Sequence, residues 1–225
     1  MPKGTTSSND YLKLVYTAVA IGNIADNAAS SPLTNIYASL HSAWPGVGGD
    51  QTTNEISYTG YARVAVARSG SGWTVTGNSV SPVAQINFGQ CVGGSATAMY
   101  FAAGTAASST GKLLHFGPIG TKLGPFTAIA AGDVITIPGL SGVAVDDRIA
   151  FFAGDPSGLP SGISEGTVYY VKTLSGNDIT VSTTQGGAAV DITGAGDGLA
   201  WKITPIAISS GVTPGLGTGT TIVDA

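Results

Sequence analysis

The chain contains a single cysteine, Cys91, in 225 residues. That excludes an internal disulfide and a cysteine-built zinc site, and it reads Cys91 as a small buried hydrophobe. Charge is scarce: Asp, Glu, Lys and Arg make up 10 % of the residues, against about 25 % in an average protein. Only nine residues are Lys or Arg and the net charge is −4. The basic patch that neutralises phosphates is therefore missing, and direct nucleic-acid binding is not expected. Long apolar runs are missing too. The longest, around Leu12 to Ile21, is interrupted by Lys13 and is too short to span a bilayer. The opening stretch, Met1 to Ser8, is polar and lacks the apolar core of a signal peptide. Together these absences predict a soluble chain made in the cytoplasm, with no membrane partner.

Catalytic groups are equally sparse. A hydrolase triad needs a histidine beside a serine and a carboxylate, and His41 and His115 are the only two histidines. Neither lies in a recognisable nucleophile turn, and Gly70-Ser71-Gly72 reads as a hairpin tip, not a strand-to-helix elbow. Asp146, Asp147 and Asp155 offer a carboxylate pair for glycoside cleavage, yet their spacing around a strand reads as a turn and a strand-end charge. The loop Asp191 to Asp197 falls short of the roughly six to eight oxygen ligands that calcium prefers. Gly215-Leu216-Gly217-Thr218-Gly219 lacks the helix and lysine of a phosphate-binding loop. The expectation is no enzyme, no cofactor and no metal.

What the chain does have is glycine, 34 residues of it, and a hydrophobic fraction of 43 %. That is ample material for a core, and it excludes a disordered chain. A weakly charged surface of small residues suits one copy in a large assembly. The stretch Tyr58 to Val83 organises the reading. From Tyr61 to Arg68, Val64 and Val66 alternate with a row containing Arg63, which predicts a strand with two distinct faces. Beyond Ser69-Gly70-Ser71-Gly72, Trp73 and Val75 alternate with Thr74 and Thr76, which predicts a half-buried partner strand across a hairpin.

Taken in order, residues 1–8 read as a mobile arm. Ser8 or Asn9 can cap a helix beginning near Asp10, whose apolar stripe is Leu12, Val15, Tyr16 and Val19, extending towards Ala28 and stopped by Ser30-Ser31-Pro32. Strands are predicted at Asn35 to Ser39, Val83 to Phe88, Ala96 to Ala103 and Lys112 to Pro118, separated by Gly, Ser and Thr clusters. Such spacing predicts a β-sandwich or barrel. From Phe126 to Ile203 the texture changes to about six short strands, at Val134 to Ile137, Asp147 to Phe152, Thr167 to Lys172, Asp178 to Ser182, Ala189 to Thr193 and Leu199 to Ile203. After Pro205, Ile206-Ala207-Ile208 and Ile222-Val223 return to the first domain. The fold class read here is all-β: a β-sandwich or jelly-roll-like parent domain, residues 1–122 and 204–225, with one N-terminal helix. A small β-barrel, residues 123–203, is inserted in it.

The opening helix, Ala25-Asp26-Asn27-Ala28-Ala29-Ser30-Ser31-Pro32-Leu33-Thr34-Asn35, Thr59-Gly60-Tyr61-Ala62-Arg63, Gly72-Trp73-Thr74-Val75 and Ile208-Ser209-Ser210-Gly211-Val212-Thr213-Pro214 resemble a family of tailed-bacteriophage virion proteins. Its members are variously labelled tail-fibre or capsid-decoration proteins. Asp147-Arg148-Ile149, Gly158 to Ile163, Gly166 to Val171 and Gly186 to Asp191 resemble a small β-barrel module common in phage structural proteins. A similar barrel occurs as an accessory domain in ubiquitin-activating enzymes, a likeness that implies fold only.

The resemblance implies a capsid decoration (cement) protein. Such a protein sits on the outer surface of the virion, binds the major capsid protein, forms a homo-oligomer such as a trimer, and stabilises the assembled head by linkage. The alternative is a tail or tail-fibre component that meets the host surface through the inserted barrel. The contacts weighed for decoration are the arm, Met1 to Ser8 (Met1, Pro2 and Lys3 in it), and Trp44, set beside Pro45 and Gly46, with burial in its own core the preferred reading of Trp44. For host contact they are Tyr169, Tyr170 and Trp201 of the insert, with strand alternation placing at least one of the tyrosines in the core.

Overall fold

The computed structural model describes residues 5–21, 32–153 and 158–223. Helix α1 (Thr5–Thr17) is followed by β1 (Asn35–His41), β2 (Val64–Ala67), β3 (Trp73–Thr76), β4 (Ser79–Pro82), β5 (Ile86–Asn87), β6 (Ala96–Ala98), β7 (Tyr100–Gly104) and β8 (Leu113–Pro118). Next come β9 (Gly120–Ile129), β10 (Val134–Thr136), β11 (Arg148–Ala153), β12 (Val168–Ser175), β13 (Asp178–Ser182) and β14 (Gly196–Ile203), and last β15 (Ile206–Ile208), β16 (Gly215–Leu216) and β17 (Ile222–Val223). The chain divides into two compact units. The first holds Met1–Thr97, Phe101–Gly117 and Ala207–Ala225, and the second holds Ala98–Tyr100 and Pro118–Ile206. The second unit thus begins earlier than the residue 123 read from the sequence.

In the second unit six strands close into a barrel of order β10-β13-β12-β11-β14-β9, every neighbour antiparallel. Closure removes free sheet edges, so the ladders satisfy their own backbone groups. Alternate residues of each strand point inward, and Phe126, Ile135, Ile149, Phe151, Tyr169, Val171, Ile179 and Val181 fill the interior. Phe126 and Phe151 meet edge to face at 4.9 Å, a favoured aromatic geometry. Six strands were expected, but their membership differs. Ala189 to Thr193 is not a strand. Its backbone is held by single bonds, Val190 N–H to the Val181 carbonyl at 2.8 Å and Ile192 N–H to Asp133 Oδ1 at 2.8 Å. Its alternation reflects side chains packing on the barrel without a ladder. The sixth strand is β9, whose Gly120, Gly124 and Pro125 read as a boundary in the sequence.

Outside the barrel the strands form four small sheets, β2-β1-β7-β8, β17-β4-β3, β16-β5 and β15-β6. The expected hairpin between the strands at Val64 and Trp73 does not form. β2 pairs with β1, with Ile36 opposite Val66, while β3 pairs with β4, with Val75 opposite Val80. Period-2 alternation specifies a face and leaves the partner open. Arg68, at the end of β2, turns the chain away. Its N–H donates to the Thr34 carbonyl at 2.9 Å, and its guanidinium reaches the Val15 carbonyl at 2.5 Å and the Leu14 carbonyl.

Those two carbonyls belong to the last turn of α1, where no intrahelical donor remains. The helix therefore carries a cationic cap supplied from far along the chain. Ala18, with φ of 57°, ends it. Leu12 and Tyr16, one turn apart, are fully buried, and the Tyr16 ring meets Trp73 edge to face at 4.8 Å. The helix starts at Thr5, so Asp10 lies in its middle and Thr5 to Ser8 are not part of an arm. Val19 falls beyond the helix and is 52 % exposed, so the stripe ends at Tyr16. The extension towards Ala28 and the stop at Ser30-Ser31 lie outside the described residues, as do Met1, Pro2 and Lys3.

Candidate interaction surfaces

Trp44 sits in the loop that leaves β1, half-buried, with its ring on Phe116 at a centroid distance of 4.6 Å. The loop is tied from within. Asn54 Nδ2 donates to the Trp44 carbonyl at 2.9 Å, and Asp50 Oδ1 accepts from the Thr52 N–H at 2.7 Å and from its hydroxyl at 2.6 Å. Those bonds from Thr52 hold the Asp50 carboxyl below its ordinary value. Gln51 is fully buried, its Oε1 accepting from the Ala106 N–H at 2.8 Å. Val47, by contrast, stands 91 % exposed. Trp44 is thus neither a free anchor nor a core residue, and Val47 is the exposed apolar group of this loop.

In the barrel, neighbouring tyrosines face opposite ways. Tyr169 points into the interior, 3 % exposed, and its hydroxyl accepts from the Ser164 N–H at 2.9 Å. Tyr169 is therefore a core residue and not a surface contact, because strand period places it on the filled face. Tyr170 faces outward, half-buried, with the Arg148 guanidinium carbon 5.4 Å from its ring centroid. Trp201 on β14 is also half-buried and lies opposite Ala150 of β11.

The histidines have partners that sequence reasoning missed. Ser39 and His41 lie two apart on β1 and so share a face, and Ser39 Oγ stands 2.9 Å from His41 Nε2. His41 Nδ1 donates to the Thr53 carbonyl at 2.9 Å, which leaves Nε2 to accept from the serine hydroxyl. Burial lowers the His41 pKa, keeping the ring neutral. Both side chains are fully buried, so the pair has no room for a substrate. His115 Nδ1 lies 2.7 Å from the hydroxyl of buried Tyr16, whose pKa burial pushes far up.

Opposite His41, at Glu55, lies a cluster of buried polar groups. Arg63 Nε and Nη2 reach the two oxygens of Glu55 at 2.8 and 2.7 Å, Nη1 donates to the Ala106 carbonyl at 3.0 Å, and the Tyr61 hydroxyl donates to Glu55 Oε1 at 2.9 Å. The bidentate geometry fixes the fork of the guanidinium. The expectation for Arg63, a row opposite the valines, is corrected in that Arg63 precedes β2 and is buried by this clamp. The signal available in sequence was an arginine standing against an apolar alternation in a chain with few cations.

Asp147 accepts from Lys202 Nζ at 2.7 Å and from the Ala144 N–H at 2.7 Å. Burial alone raises its pKa, but the lysine and the amide outweigh that and lower it. Asp146 has φ of 70° in the same turn. Asp155 lies outside the described residues. Among the described residues, no group of three or more His, Cys, Asp or Glu side chains is placed to hold a metal ion. Cys91 is fully buried, and no described helix is long and apolar enough to cross a membrane.

Residues 14–141 match the family model described as podophage GP4 fiber I protein gp80. The match covers more than half of the chain and runs from within α1 through β9 and β10 of the barrel. The strands β11 to β14 lie beyond it. No curated protein matches the chain.

Proposed function

Because the chain belongs to the family of the podophage GP4 fiber I protein gp80, a family of phage virion structural proteins, we propose that it serves as a fibre-type component of the virion. The family match over residues 14–141 carries this reading. The role is non-catalytic, as the burial of Ser39, His41 and Tyr16 and the lack of a metal-holding cluster among the described residues suggest. The first unit, with α1 and the tied Trp44 loop, is the body that docks on neighbouring virion proteins or on other copies of the chain. The barrel is the part that meets the surroundings.

Decoration of the capsid is the second reading, with the major capsid protein as partner and a trimer as the simplest oligomer. The weakly charged, small-residue surface favours it, since many copies packed side by side tolerate such a surface. Copy number separates the two. Quantitative mass spectrometry of purified particles is expected to give a few copies per virion. A ratio near one copy per major capsid protein, or a simple lattice fraction of it, would replace the fibre reading with decoration.

A further inference from the structure

Residues 211–223 run antiparallel beside residues 79–91 of the first unit. The Gly211 N–H donates to the Cys91 carbonyl at 2.8 Å, the Cys91 N–H to the Val212 carbonyl at 2.9 Å, and the Phe88 N–H to the Pro214 carbonyl at 2.9 Å. β16 then pairs with β5, Leu216 opposite Ile86. Beyond Leu216 a local turn interrupts this lacing, the Thr220 N–H donating to the Gly217 carbonyl at 2.9 Å. A Cβ added at Gly217 or Gly219 would meet nothing within 4 Å, so the turn stands clear of its surroundings. Pairing resumes at β17, with Ile222 opposite Val80 and Val223 opposite Ser79. Those two positions hold β17, whereas four join β3 to the other side of β4.

Packing beside β17 is incomplete. A small apolar cavity lies there, lined by Ile222, Thr220 and Leu216 together with Trp73, Pro82 and Ile86. A void forfeits the dispersion contacts of its lining. Trp73 adds a second cost, because its buried indole N–H has no hydrogen-bond partner among the described residues. A two-position ladder and one buried side chain, Ile222, therefore hold β17 in place. Its release bares the outer edge of β4 and an apolar slot at Val80 and Pro82. An open edge beside such a slot accepts an added strand. The segment that fits this edge is Ile222-Val223 itself. Neither residues 78–83 nor residues 215–223 include a charged side chain, so two copies meet there without repulsion.

We propose that β17 is an exchange strand, and that the partner of the β4 edge is a second copy of this chain. In the assembled protein, Ile222 and Val223 of one copy seat on β4 of its neighbour in the register seen here. Exchange keeps these contacts and changes only the hinge, residues 217–221, which is why it costs little. From Leu216 to Ile222 the straightened hinge spans six Cα steps, about 20 Å, which sets how near the donor must stand. The glycines of the hinge let it straighten readily. Each copy gives one strand and receives one, so the contact closes into a ring or extends as a line. This inference names the surface for the contact between copies in the proposed function and rests on that reading. β4 lies within the span matched by the family model, and β17 lies beyond it.

The experiment co-expresses two full chains of different size, a tagged Ser79→Cys and an untagged Val223→Cys. Opposite positions in an antiparallel pair lie within disulfide reach. Each chain carries one new thiol besides the buried Cys91, so a bond between positions 79 and 223 must join two chains. After mild oxidation, a non-reducing gel is expected to show the tagged–untagged pair at least fivefold above a control. The control pairs tagged Ser79→Cys with untagged Val47→Cys, whose thiol is exposed in the Trp44 loop. Adding Ile222→Ala to the Val223→Cys chain is expected to lower the yield at least threefold, with melts showing that the fold is kept. A yield no higher than the control, or one that Ile222→Ala leaves unchanged, would overturn the proposal. So would a Ser79→Cys/Val223→Cys chain that closes only on itself. A fibre-like copy number without exchange sinks the exchange alone. Exchange with a lattice copy number sinks the fibre reading and leaves the exchange.

Discussion

The two units solve the same problem, burying a β backbone, by different means. In the barrel, strands of three to ten residues pair on both sides, and the interior is apolar. In the first unit many strands have only two to four residues, and its loops depend on side chains reaching backbone groups. Arg68 holds α1 to the end of β2, Gln51 and Arg63 hold the segment at Ala106, and the Tyr58 hydroxyl donates to the Gly89 carbonyl at 2.7 Å. Where ladders close on themselves, packing carries specificity. Where they stay short, buried polar groups take over, and each is costly to remove.

That contrast can be broken from either side. The largest effect is expected from Phe151→Ala, which empties the barrel centre and costs about 3–5 kcal/mol. Denaturant unfolding followed through Trp201 should report it, with the signal from Trp73 moving less. Arg63→Ala comes next, at about 3 kcal/mol, because it strands the Glu55 carboxylate in a site with little water. The Trp73 signal should shift and the Trp201 signal should hold. A loss shared equally by both probes would mean that the units do not unfold separately. Arg68→Met removes the helix cap while keeping some of the apolar stem, for about 1–2 kcal/mol. Hydrogen exchange should rise at the amides of α1 and stay unchanged in the barrel.

Acid titration sharpens the comparison with the smallest effect. His41 has its pKa lowered from 6.5 in the folded protein. The unfolded chain therefore binds the proton first, and the first unit loses stability as pH falls below 6.5 towards the folded value. His41→Gln should flatten that slope. Asp147 has its pKa lowered from 3.8. Its contribution to the barrel is present above that value and is lost only as pH falls through the lower folded pKa. Melts between pH 7 and pH 3 should therefore weaken the first unit before the barrel.

Much of the strand content was legible. Short apolar runs between turn residues located β1, β8, β11, β12 and β13 within a few residues, and in β12 strict alternation matched a strand with one buried face over Val168 to Val171. The reading missed β9, where Gly and Pro hide a strand, and placed one at Ala189 to Thr193, where side chains pack on the barrel without a ladder. In the candidate site, alternation put one of Tyr169 and Tyr170 in the core, and the structure buries Tyr169. It gave no sign that Arg148 would lie over the Tyr170 ring, since the two residues sit on separate strands.

By itself the sequence determined a β-rich chain with one N-terminal helix and a poverty of charge, since these depend on local period and composition. Only the tertiary structure decided which strands pair, that Arg68 caps a helix some fifty residues earlier, that Glu55 clamps Arg63, and that Arg148 lies over the Tyr170 ring. Pairing and ion contacts join residues distant in sequence, and the period of a single strand carries no information about its partner.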